Sequence, residues 1–192
     1  MPVTYVVLLL LITTSGRPVQ RMRTLCNDLR RVIPKAIRIN RGKLSIKGIS
    51  EKALEIGADR IIIVERRKGG PGRIKFCTVP IHSGDCFTYF LSGVKTQDDI
   101  GRRTTVCEGL IVTVEKNAST SVRRLANHFS KFLNVSMLEE TMNPAFKASA
   151  HFSRFRGNEV KISFTMPPII KEVGPTLILR HTTDSHPGAR RL

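Results

Sequence analysis

Leu11-Ile12-Thr13-Thr14 runs through Ser15-Gly16-Arg17-Pro18 into the helical spacing Met22, Leu25, Cys26, Leu29, Val32, Ile33. An apolar run ending in a polar loop, then apolar positions at i, i+3, i+4 and i+7, predicts a buried strand under an amphipathic helix. The same pattern returns about a hundred residues later. Leu110-Ile111-Val112-Thr113 runs through a Ser/Thr loop into Val122, Leu125, Ala126, Phe129, Phe132, Leu133. The six apolar helix positions match in class at an offset of 100, as do Arg23/Arg123, Asn27/Asn127 and Arg31/Lys131 on the opposite face. The offset also relates Gly57 and a strand at 60–64 to Gly157 and a strand at 160–164. Self-similarity at a fixed spacing predicts an α/β fold of two structurally similar halves from an internal duplication, each a mixed sheet packed by helices.

Composition narrows the chemistry. A chain of 192 residues with 41% hydrophobic content can bury a sizeable core. Its net charge of +17 far exceeds what solubility asks for. Such an excess attracts polyanions through steering and counterion release. Membrane-surface binding would want a basic amphipathic helix with exposed large apolar residues. Here the basic residues are spread along the chain, which favours nucleic acid over a membrane. The apolar run 6–12 has no positive segment before it, no clean cleavage pattern after it, and too little length to span a bilayer. It reads as a strand, and the expected location is cytoplasmic.

The cysteines Cys26, Cys77, Cys86 and Cys107 form no CxxC pair and no zinc-ribbon spacing. Cys26 falls on the apolar helix face. A metal site from Cys77, His82, Cys86 and Cys107 is not expected from that spacing. Reduced thiols are the default for an intracellular chain.

Along the chain, Pro18 is placed for a first helical turn and Pro34 for a helix stop. A short strand is expected at 36–39, then the loop Asn40-Arg41-Gly42-Lys43. Ser50 reads as the N-cap of a short helix closed by Gly57. A strand at 60–65, continuous in Ile and Val, reads as buried on both faces. The turn 66–73 joins it to a strand at 74–79 as a hairpin. A strand at 86–94 closes the first half, about 1–94, with a linker at 95–108 and a second half at 109–180. Asp98-Asp99 reads as a solvated turn. In the second half a helix near Asn143-Pro144 and a last strand at 176–180 complete the pattern. Residues 181–192 read as a poorly ordered basic tail.

Catalytic patterns are missing. There is no GxGxxG, Walker lysine loop, HExxH or recognisable Ser/His/Asp grouping. Gly69-Gly70-Pro71-Gly72 joins two strands and does not open a helix, so it is no phosphate-cradling loop. No enzyme activity, cofactor, metal or small-molecule substrate is expected. Anion-binding chemistry is abundant. Thr14, Ser15 and Arg17 sit where a strand loop meets a helix N-terminus. Arg21 and Arg23 follow on the helix. Arg38, Arg41 and Lys43, with Lys47, form a segment without acidic residues. Arg66, Arg67 and Lys68, with Arg73, form another at a hairpin tip. Arg123, Arg124 and Lys131 occupy the second helix. Arginine's planar fork suits phosphate. With no Trp and two Tyr, a base-stacking platform is not expected, and phosphate and shape recognition of structured RNA fits better.

Three further segments carry a family resemblance. Leu11-Ile12-Thr13-Thr14-Ser15, then Ala36-Ile37-Arg38-Ile39-Asn40-Arg41-Gly42-Lys43, then Thr78-Val79-Pro80-Ile81-His82-Ser83-Gly84-Asp85-Cys86-Phe87 resemble successive signatures of Brix-domain ribosome-biogenesis proteins. Glu172-Val173-Gly174-Pro175 is similar to their closing motif. The set spans nearly the whole chain. It looks most similar to compact archaeal relatives of the branch associated with the U3 small nucleolar ribonucleoprotein. The sequence departs from the pattern at Asp85-Cys86, where Pro-Thr is usual, and at Thr176, where Arg is usual.

The resemblance implies a Brix domain over 1–180 whose halves are each similar to the anticodon-binding domain of class II aminoacyl-tRNA synthetases. It implies binding of pre-ribosomal RNA during rRNA processing and small-subunit assembly, without catalysis, alongside other ribosome assembly proteins, in the nucleolus if the source is eukaryotic. The alternative is a protein-interaction scaffold within a pre-ribosomal particle. Asn40 and Gly42 are expected to shape their loop, Gly42 through a positive φ, and the first half to carry most of the recognition.

Overall fold

The computed structural model describes residues 9–82, 86–101, 106–139, 148–166 and 171–180. The start of the first predicted strand, the helix near Asn143-Pro144 and the tail 181–192 lie outside the described residues. β1 (Leu9–Thr14) leads through α1 (Gln20–Val32), β2 (Ala36–Arg38) and α2 (Ile46–Glu55) to β3 (Ala58–Arg67), β4 (Gly70–Thr78) and β5 (Cys86–Lys95). A short α3 (Gln97–Ile100) precedes β6 (Ile111–Val114), α4 (Thr120–Leu133) and β7 (Met137–Glu139). β8 (Ser149–Arg154), β9 (Val160–Met166) and β10 (Lys171–Leu179) complete the chain.

The described strands form one mixed ten-stranded sheet in the order β2-β1-β3-β4-β5-β10-β9-β8-β6-β7. β1 lies between parallel partners β2 and β3, followed by antiparallel β4 and β5. β6 lies between parallel partners β7 and β8, followed by antiparallel β9 and β10. The constant offset of 100 stops at the helices. Ile62 is the partner of Ile12 and Ala150 of Val112, so the third strands lie 88 residues apart. The strand at 60–64 therefore corresponds in place to β8, and 160–164, within β9, takes the place of β4. Gly57 and Gly157 share a positive φ but sit at different turns.

Other boundaries shift for local reasons. Pro18 lies outside α1, whose N-cap is Val19. Ser45, not Ser50, caps α2 by accepting from the Gly48 N–H at 3.0 Å. Ser50 is buried mid-helix, where its hydroxyl accepts from the Ile81 N–H. β3 and β4 run on to a two-residue turn, Lys68-Gly69, both at positive φ as a tight hairpin turn requires. A bulge just before this turn leaves Gly72 as the extra residue. A Cβ there would stand 2.2 Å from the Arg67 Cβ, so only glycine fits.

Both long helices bury their apolar stripes in one core. Met22, Leu25, Cys26, Leu29 and Val32 meet Val122, Ala126, Phe129 and Phe132 around the inner sheet residues Ile12, Ile62, Phe76, Val112 and Phe164. Each such large side chain contributes about 1.5–3 kcal/mol on burial. A smaller cluster of Leu11, Ile49, Ala53, Ile61 and Ile63 lies under α2, so β1 and β3 are covered on both faces.

The halves are sewn together through this core. Phe76 stacks on Phe87 at 4.6 Å and meets Phe132 of α4 edge-on at 5.2 Å. The buried Tyr89 hydroxyl donates to the Leu125 carbonyl at 2.7 Å. Arg60 donates to the Phe132 carbonyl. Residues 95–101 are no loose tether: Thr24 donates to Asp98 and Arg21 to Asp99, fastening α3 to α1. The Thr96 N–H holds the Asp99 carboxylate below its usual range, with Arg21 adding a smaller pull.

The cysteines also correct the sequence reading. Cys77 and Cys86 face each other across β4 and β5 with Cα atoms 4.2 Å apart, and they are joined as a disulfide. Strand register brings them together, which their spacing did not reveal. Cys26 and Cys107 are buried and belong to no disulfide. Burial pushes the Cys26 thiol up to about 12, against a smaller opposing pull from Arg38, and pushes the Tyr89 phenol up as well. Acids whose folded pKa is raised stabilise the fold below their unfolded pKa, and that contribution is lost as pH rises through the folded value. Denaturant titrations should therefore show stability falling by about 2–3 kcal/mol from pH 8 to 10.5 through Cys26 alone. The Cys26→Ala variant should lack that component.

Candidate nucleic-acid interface

Because β1, β2 and β3 are parallel, their carboxyl ends open at one edge of the sheet. That edge is a common ligand position in α/β folds. Three basic loops meet there. Ser15 ties two of them, its N–H donating to the Val64 carbonyl at 2.8 Å and its hydroxyl accepting from the Arg66 N–H at 3.2 Å. The third is held by Ile39, whose N–H donates to the Ile12 carbonyl and whose own carbonyl accepts from the Thr13 hydroxyl.

Arg38 is the best-positioned cation. Its guanidinium donates to the side-chain oxygens of Asn27 at 2.8 Å and Asn40 at 3.0 Å. Two neutral amides fix the fork without cancelling its charge. Arg41 braces its loop by donating to the Leu44 carbonyl, and Gly42 adopts the expected positive φ, 56°. Lys43 is exposed and makes no ion pair among the described residues. Arg17, itself at positive φ, is exposed beside the start of α1. No side chain caps that helix, and no acidic residue stands in its first turn. Its positive end therefore adds to the field. Arg23 lies one turn before Asn27 on the same stripe. Arg66, Arg67 and Lys68 project from the hairpin tip, all exposed. The nearby Glu65 is buried and neutralised by Arg73 at 2.6 Å and Lys75 at 3.1 Å.

The second half handles the corresponding edge differently. Glu115 stands in the place of Ser15: its N–H donates to the Phe152 carbonyl and its carboxylate accepts from the Arg154 N–H at 2.9 Å. Glu139 stands two residues beyond Met137, the partner of Val112, as Asn40 stands two beyond Arg38, the partner of Ile12. Glu139 binds Arg123 at 2.6 Å. The exposed pair adds little to stability, but it removes the free charge that Arg23 keeps.

No protein-family model matches the chain. A probable Brix domain-containing ribosomal biogenesis protein of Methanopyrus kandleri is 32% identical over 129 residues, covering 66% of this chain and 67% of that protein. The chain belongs to the Brix-domain family. The namesake protein of Pyrococcus horikoshii is 38% identical over 94 residues, 48% of this chain but only 42% of its own length. A probable ribosomal biogenesis protein of Aeropyrum pernix, solved as a crystal structure, superposes with TM-score 0.76 at 24% identity, over 92% of this chain and 98% of that one. Mil, an archaeal Imp4-like protein, superposes with TM-score 0.63 at 18% identity, over 89% and 97%.

Within this Brix chain the site residues predicted from sequence do not all come together. Ser15, Arg17, Arg23, Arg38, Arg41, Lys43, Arg66, Arg67 and Lys68 share the first-half edge. Thr14 is buried, so its hydroxyl does not reach that surface. Arg21 is held by the Val94 carbonyl and the Asp99 carboxylate, and Arg123 by Glu139 and the Ala118 carbonyl. Arg124 and Lys131 are exposed on α4, apart from the three loops. Asn27, Glu115 and Glu139 were missed. The only signal for Asn27 was its match to Asn127, which says nothing of a bond to Arg38.

Proposed function

We propose that the chain is a non-catalytic ribosome assembly factor that binds pre-ribosomal RNA through the carboxyl edge of β1, β2 and β3. The observation that carries this is the asymmetry between the halves. One edge gathers cations held by neutral partners, and the other places carboxylates at the matching positions. The halves follow from an internal duplication, supported by their matching strand order, and each resembles the anticodon-binding domain of class II aminoacyl-tRNA synthetases. The names of the relatives supply the setting, ribosome biogenesis; within it the proposed steps are rRNA processing and small-subunit assembly, with other assembly proteins as neighbours. The domain spans residues 1–180 and works in the cytoplasm. A disulfide agrees with that setting in hyperthermophilic archaea, whose intracellular proteins carry such bonds.

If about six phosphates are contacted, log affinity should fall with log salt with a slope of about −4 to −5. Titration of a labelled rRNA fragment from 50 to 300 mM salt measures it. An affinity indifferent to salt would remove this reading. A scaffold role is the second reading, favoured by the exposed Ile37, Leu44 and Ile46 around edge strand β2. Absorbance of the purified protein at 260 and 280 nm, before and after a high-salt wash, separates the two, since a chain with no Trp cannot hide bound RNA.

A further inference from the structure

The hairpin between β8 and β9 carries Phe155, the exposed aromatic residue among the described ones. In an aromatic-poor protein whose other described phenylalanines are buried or half-buried, a ring 41% exposed at a loop tip stands out. The tip is also rigid. The Phe155 N–H donates to the Glu159 carbonyl at 2.8 Å, and the Glu159 N–H to the Arg156 carbonyl at 3.0 Å. Gly157 makes the reversal at φ of 56°. The Arg156 guanidinium lies over the Phe155 ring, 5.6 Å from its centroid. Arg154 on the other side is exposed, and its N–H is fixed by the Glu115 carboxylate.

We propose that Phe155 is a stacking site for one unpaired RNA base, with Arg154 and Arg156 on the flanking phosphates. The chemistry follows from what the tip offers. An aromatic face accepts any base by stacking; Arg156 lies over one face of the ring by cation–π attraction, so a base would stack on the other, with the guanidinium's charge close by. Glu115 and Glu159 lower the net charge here, so this tip does not attract duplex RNA by counterion release as the first-half edge does. It discriminates by strandedness. Single-stranded loops and bulges are where bases become available to side chains. The inference rests on the RNA-binding reading above and adds a second, chemically different contact.

The absence of tryptophan gives a direct test. The Phe155→Trp variant introduces a unique fluorophore at the tip. A labelled oligoadenylate and a blunt RNA duplex serve as probes, with binding followed by anisotropy. The expected result is quenching of the tryptophan by oligoadenylate and not by the duplex. The Phe155→Ala variant should weaken oligoadenylate binding roughly 5- to 100-fold. Its duplex affinity and salt slope should stay unchanged. Bound oligoadenylate without quenching, or equal affinity in a folded Phe155→Ala protein, overturns the stacking site and leaves the first-half interface standing. Failure of the unmodified protein to bind either RNA overturns both.

Discussion

Replacing Arg38, Arg41 and Lys43 together with glutamate should abolish RNA binding near physiological salt while leaving the protein folded. Arg38 ends β2, Arg41 and Lys43 lie in the loop after it, and no carboxylate in residues 38–43 offsets them. Reversal removes three phosphate contacts and adds three repulsive charges. The expected loss is on the order of 1,000-fold, and any residual binding should have a salt slope shallower by about 2–3. The fold should survive because the three side chains lie outside the core. The amides of Asn27 and Asn40 can turn to donate to a glutamate at 38. Circular dichroism melts check the fold, and anisotropy titrations check the affinity. A folded triple variant that binds as before would place recognition elsewhere. Arg123→Glu should do far less, since Glu139 already cancels that charge.

The Gly174→Ala variant should be strongly destabilised. A methyl group at that position would lie 2.5 Å from Val32 Cγ1 on α1 and 2.8 Å from Phe164 Cβ on β9. Both neighbours are fully buried, so neither has room to withdraw. Overpacking of this kind costs about 1–3 kcal/mol. For a chain this size the melting temperature should fall by roughly 3–10 °C. The pairing of β10 with β9 breaks register across 172–176, where the bulged strand carries Gly174-Pro175 against the helix. The closing motif seen in the sequence therefore has a packing reason. Gly109→Ala, with nothing within 4 Å of its Cβ and no left-handed backbone, serves as a control for glycine replacement outside a packed contact.

The two strand–helix units were legible because each carries a long apolar period that its burial repeats. Met22 to Ile33 and Val122 to Leu133 pack as their spacing predicts. What failed was extrapolation from glycines. Gly57 and Gly157 suggested a constant offset, but glycine marks any tight reversal and cannot say which turn it serves. β7 was too short to show a period, and β8, Ser-Ala-His-Phe-Ser-Arg, has too few apolar residues to announce a strand. Charge was legible as composition and not as availability. Arg21 and Arg123 read like Arg23 and Arg38 in a sequence, and only tertiary contacts separate them. The sequence also gave aromatic scarcity correctly while hiding that one ring faces outward.

The contact between Gly174 and Val32 has a temporal consequence. The helix that opens the first half finds part of its floor in a strand made more than 140 residues later. Distant pairing of this kind slows folding and leaves earlier segments waiting with apolar surface uncovered. During synthesis α1 therefore stays incompletely shielded until β10 has left the exit tunnel. A nascent copy halted before residue 174 lacks the piece that seals its first helix.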